Sequence, residues 1–148
     1  SLQDVADVLD FVARHDLVPN VDPVQYSIRL LVPRGSLLLD DPELALDAYD
    51  PELLSYTWRS PDARVDALQA RLASIAEDAA TTGEAASTTY RSMRAATADA
   101  MGDRAFDTEQ VLAAVGAGSA GRPRLTEPWF CCAEPTALQF GPLGQSCD

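Results

Sequence analysis

The chain has 148 residues, is 47% hydrophobic, and sets 23 acidic side chains against 11 basic ones, for a formal charge of −12. That is enough for one domain with a real core, or a domain and a piece of a second, and no apolar run approaches the ~20 residues of a membrane-spanning helix. All the basic residues are arginine, and the acidic balance argues against nucleic acid and anionic membranes as partners, because both are bound through clustered positive charge.

The opening SLQDVADVLDFVARHD predicts a helix over 1–16. Ser1 is its candidate N-cap, and Leu2, Val5, Ala6, Val8, Leu9 and Val12 form a broad apolar stripe opposite Gln3, Asp4, Asp7 and Asp10. It is amphipathic and acidic rather than a basic stretch before an apolar block, so no signal peptide is read there and a cytoplasmic location is expected. A loop with two prolines follows. Residues 24–32, VQYSIRLLV, then alternate as a strand does, with Val24, Tyr26, Ile28 and Leu30 on one side and Gln25, Ser27 and Arg29 on the other. A lone strand cannot satisfy its own backbone groups. It therefore belongs to the last αβ unit of a larger α/β sheet or barrel, or pairs with YTW at 56–58, or pairs with a second copy of the chain.

Residues 36–50 are broken by proline and read as one or two helical turns. From Ser60 the helical signals sharpen. Ser60 is an N-cap candidate, Pro61 suits the first helical position, and Val65, Leu68, Leu72, Ile75 and Ala79 repeat at helical spacing until Gly83. A second helix is expected over 84–101, with Ala86, Tyr90, Met93 and Ala100 inward and Gly102 closing it; the short link makes the two an antiparallel hairpin. A third helix is expected from Asp107, where Asp107 and Gln110 form a capping box and Phe106 can staple onto Val111. GAGSAGRPR at 116–124 is a linker. His15, the only histidine, falls near a helix C-terminus, where a surface capping role suits it. The carboxylates, Asp40, Asp41 and Glu43 among them, read as a solvated surface.

All three cysteines, Cys131, Cys132 and Cys147, lie in the closing stretch PWFCCAEPTALQFGPLGQSCD. A chain that uses cysteine only there, with no secretory leader, points to thiol or metal chemistry rather than a disulfide framework. Adjacent cysteines on an extended backbone point to opposite sides and bridge only through a strained, easily reduced ring. A bond from either to Cys147 would close a loop of about 15 residues, worth roughly 3 kcal/mol in the chain-entropy treatment. Two small buried thiols packed beside Trp129 and Phe130 are the plain structural alternative.

The run Cys131-Cys132-Ala133-Glu134-Pro135 resembles the C-terminal signature of the radical SAM proteins named for their CUAEP or CCAEP tail, in which the second position of the pair is selenocysteine in some members. The resemblance puts Cys132 at the selenocysteine position and implies that it is the reactive atom, with Cys131 or Cys147 as its resolving partner. YSIRLLVPRGS is similar to the late barrel strand of such enzymes, with Pro33, Arg34, Gly35 and Ser36 as the loop that ends it. That likeness implies a cofactor and substrate cavity lined by Gln25, Ser27 and Arg29. An ordinary half-exposed strand is the alternative.

The family's [4Fe–4S] cluster and S-adenosylmethionine are held through a Cys-x3-Cys-x2-Cys motif that this chain lacks. No metal site and no cofactor are therefore expected in the chain itself, only in a complete protein that adds an N-terminal barrel half. The expected architecture is mainly α: a barrel remnant at 1–36, a helical domain at 37–115, and a linker with the cysteine tail at 116–148. The expected function is that of the C-terminal region of a radical SAM oxidoreductase acting on an unidentified small molecule or peptide, the chain alone being inactive. The alternative is a helical interaction module with inert cysteines, which an exposed stripe on Val65, Leu68, Leu72 and Ile75 would favour. A strand edge at 24–32 left without neighbours would also dimerise or need cover.

Overall fold

The computed structural model describes residues 1–103 and Phe106. Among these residues the architecture is mainly helical: three α-helices, α1 (Leu2–Arg14), α2 (Ala63–Thr82) and α3 (Ala86–Met101), and one two-stranded sheet, β1 (Ala45–Asp50) with β2 (Ser55–Arg59). The third predicted helix, the linker and the cysteine tail lie outside the described residues.

Local chemistry sets the starts of α1 and α2 and the ends of α2 and α3. At α1, the Ser1 hydroxyl accepts from the Asp4 amide and the Asp4 carboxylate caps Ser1 in return, a complete capping box. The start of α2 falls two residues later than its first candidate cap. Ser60 lends its hydroxyl to the Asp62 amide at 3.2 Å, and Asp62 is the N-cap, accepting from Arg64 N at 3.0 Å. Gly83 and Gly102 close α2 and α3 in the left-handed conformation, at φ 69° and 70°. A Cβ at Gly83 would meet nothing within 4 Å, so the cost of Gly83→Ala is conformational and not steric. It is expected to be about 1 kcal/mol, seen as a fall of several degrees in Tm.

The helices and residues 1–28 form one unit, and residues 29–59 belong to another. The first of these has a continuous apolar interior. Leu2 from α1, Leu68, Leu72 and Ala76 from α2, and Met93 and Ala96 from α3 make one buried cluster; Leu9, Val12, Val18 and Tyr90 make a second. Val5 and Tyr26 pack against both. The inward positions expected on α3, Ala86, Tyr90 and Met93, are buried. The α2 positions Leu68, Leu72 and Ala79 are buried too, and Val65 and Ile75 pack half-buried against the core. Helix α1 thus shares a core with the hairpin.

The predicted strand at 24–32 is corrected by the structure. Pro23–Tyr26 is a 3-10 turn. Pro23 fixes φ at a helical value, and the Asp22 carboxylate accepts from Val24 N at 3.1 Å. Ser27 then donates its amide to Val24 O at 2.9 Å and closes the turn. Farther on, Leu30 and Val32 each make an isolated bridge, that of Val32 antiparallel to Tyr56. The Val32 bridge is the pairing with the 56–58 stretch weighed above.

The helical turns expected at 36–50 are also corrected. One 3-10 turn forms at Leu37–Asp40, and a hairpin takes the rest. The Asp50 carboxylate accepts from Glu52 N at 2.8 Å and Leu53 N at 3.3 Å, folding the turn around Pro51. The register runs Ala45–Arg59, Leu46–Trp58, Tyr49–Tyr56 and Asp50–Ser55, with one extra residue on β1 between Leu46 and Tyr49. Tyr49 and Tyr56 meet edge to face at 5.2 Å.

Candidate functional site

The polar side chains predicted to line one cavity take separate roles. Gln25 is exposed, on the 3-10 turn. Ser27 is buried and donates its hydroxyl to Val24 O at 2.9 Å, while its carbonyl receives Gln69 Nε2 at 2.7 Å. Arg29 lies over the Trp58 ring, 4.4 Å from its centroid, and donates to the Trp58 carbonyl. Trp58 in turn gives its indole N–H to Leu30 O at 2.9 Å. Ser27 and Arg29 therefore tie backbone together. Cys131, Cys132 and Cys147 lie outside the described residues. His15 is the C-cap of α1, with its ring 4.4 Å from that of Phe11.

Two features that sequence reasoning did not single out stand out in the helical unit. The first is a buried cation. Arg94 on α3 is 1% exposed, and its guanidinium pairs with Asp10 of α1 at 2.6 Å. It also donates to the Tyr90 hydroxyl at 3.3 Å and to the Phe106 carbonyl, and lies over the Phe106 ring at 3.9 Å. Tyr90 donates its own hydroxyl to Leu9 O at 2.7 Å. Burial works against the Arg94 charge, but the hydrogen bonds with Asp10 and Tyr90 outweigh it and hold the pKa above its ordinary value; burial pushes the Tyr90 phenol up as well. Among the described residues Arg94 Nε has no acceptor. The spacing of Tyr90 and Arg94, four apart on one helix face, was the available sequence signal.

The second feature is a groove of about 240 Å³ along α1, lined by Asp4, Val5, Val8, Leu9, Gln25, Tyr26 and Ile28. Val8, placed by its pattern in the inward stripe, is 52% exposed at the groove's edge, and Ile28 is 38% exposed. Phe11, one turn beyond Val8, is 50% exposed. The groove exists because the 3-10 turn brings Tyr26 under α1 and leaves Ile28 outside, where a continuous strand would have put both on one face. Asp4, at one end of it, accepts from the Ser1 hydroxyl at 3.0 Å.

Among the described residues no three His, Cys, Asp or Glu side chains converge as a metal site requires, and no helix is long and apolar enough to cross a membrane. No protein-family model, curated protein or solved structure matches the chain.

Proposed function

We propose that this chain is the C-terminal region of a radical SAM oxidoreductase-like protein, and that its tail thiols, Cys132 foremost, do redox or ligand chemistry. The run Cys131-Cys132-Ala133-Glu134-Pro135 carries the reading. A position that accepts either selenium or sulfur is one where the atom itself reacts. Oxidation of the Cys132 thiolate by a peroxide gives a sulfenic acid and hydroxide; the thiol of Cys131 or Cys147 then condenses with it, forming the disulfide and releasing water. Gly141, Pro142 and Gly144 give the segment before Cys147 a turn-forming composition.

The family's cluster does not fit the residues of this chain. Cysteines at 131, 132 and 147 do not have the Cys-x3-Cys-x2-Cys spacing, and three suitably spaced thiolates are what that cluster needs. The iron–sulfur and S-adenosylmethionine chemistry, and the substrate it acts on, belong in this reading to an N-terminal barrel half. Limiting iodoacetamide at neutral pH, with the adducts located by mass spectrometry, tests the thiol assignment. Cys132 is expected to label several-fold faster than Cys131 or Cys147. Even labelling, or labelling confined to Cys147, would overturn it and leave two inert thiols beside Trp129 and Phe130.

A second reading, a helical interaction module, draws its support from α1. The stripe on Val65, Leu68, Leu72 and Ile75 is buried or half-buried in the core and does not serve it. The exposed Val8, Phe11 and Ile28 do.

A further inference from the structure

We infer that the α1 groove receives an amphipathic helix of a basic partner protein, which sets a bulky apolar side chain between Val8, Tyr26 and Ile28 and an arginine or lysine against Asp4 and Asp7. The inference deepens the interaction-module reading and rests on the groove alone, so it holds whatever chemistry the tail thiols perform.

Size selects the kind of occupant. Pockets for cofactors and other compact ligands run to ~300–1,000 Å³, and this groove has about 240 Å³. That suits one large side chain better than a whole cofactor. The apolar surface then continues past the groove along one side of α1, through Val8 to Phe11, both about half exposed. A row of contacts along a helix is what a partner helix meets with anchors three and four residues apart.

Charge selects among the partners that have such anchors. The groove is lined by Asp4, and Asp7, exposed one turn on, holds Gln3 at 2.8 Å. The chain as a whole is at −12. A second copy would bring the same carboxylates to this face and be repelled, and an anionic membrane or a nucleic acid would be repelled likewise. A basic helix is steered in and fixed in orientation by the same carboxylates.

The test uses the full chain, isotope-labelled for NMR, titrated with a synthetic amphipathic helix of leucine and lysine about 18 residues long, five turns. A peptide with glutamate in place of lysine is the control. Saturable shifts centred on Val5, Val8, Leu9 and Ile28 are expected with the lysine peptide and not with the glutamate one. Val8→Glu is the deciding variant. Val8 is half exposed, so the fold tolerates the change, and the new carboxylate would strengthen any merely electrostatic attachment while blocking the groove. Binding to Val8→Glu is expected to weaken at least tenfold, and Ile28→Ser should weaken it in the same direction. Unchanged or tighter binding to Val8→Glu would overturn the inference. So would equal binding of both peptides, shifts spread over the acidic surface, or sedimentation showing that a second copy occupies the face.

Discussion

Replacing Asp10 by alanine is expected to cost the helical unit about 3 kcal/mol, and replacing Arg94 by methionine distinctly less. The two substitutions remove the same ion pair, so a simple count of lost contacts predicts equal effects. The surroundings of the partners differ. Arg94 is 1% exposed and Asp10 41%. Without Asp10, a guanidinium remains buried, and among the described residues the acceptors left to it are the Tyr90 hydroxyl and the Phe106 carbonyl; an uncompensated buried charge costs ~3–5 kcal/mol, and the partial exposure of Asp10 puts the expectation at the lower end. Without Arg94, the carboxylate turns to water, and methionine fills the space with flexible apolar atoms. Urea unfolding of both variants decides it. An Arg94→Met variant less stable than Asp10→Ala would show that the pair stabilises through attraction rather than by neutralising a buried charge.

The second large effect is expected at Leu72, which is buried between α1, α2 and α3 in one cluster with Leu2, Met93 and Ala96. Leu72→Ala should cost about 3 kcal/mol, the transfer of the lost methyls plus the cavity they leave. Ile75→Ala, one turn on but only half-buried against the same core, should cost markedly less. Thermal unfolding of the pair separates them, since ~1 kcal/mol moves Tm by several degrees in a domain of this size. Equal losses would mean that the α2 stripe is buried uniformly, contrary to the packing described.

These two residues also show what could be read from sequence and why. The helices were legible because several signals agreed on each: Ser1 with Asp4 at one start, Gly83 and Gly102 at two ends, and an apolar period between. The hairpin was not. Ala45–Asp50 and Ser55–Arg59 are short, their alternation is interrupted by the extra residue between Leu46 and Tyr49, and Pro51 breaks a helix as readily as it shapes a turn. At 24–32 the alternation was genuine but was overridden locally, because Asp22 and Pro23 fold its first three residues into a turn. The groove inherits that misreading. Once Tyr26 is taken off the strand, Ile28 and Val8 become neighbours at a surface, which no periodicity along either segment can express. Arg94 was hidden for another reason: its partner Asp10 is 84 residues away, and a charge on a helix reads as solvated until its tertiary partner is known.

That separation governs the order in which the molecule assembles. Helices α2 and α3 are joined by Gly83–Ala85 and meet through local contacts, which form early and fast. Helix α1 reaches them by closing a chain loop of 81 to 84 residues, through Tyr90 on Leu9 and Arg94 on Asp10, at an entropic cost on the order of 4 kcal/mol. During synthesis α1 leaves the ribosome long before Tyr90 and Arg94 exist, with Leu2, Ala6, Leu9 and Val12 uncovered. Of the three helices, the one made first is therefore the last to dock, and for that interval its inner face and the groove-side residues beyond it are open together to any chaperone that recognises apolar helical segments.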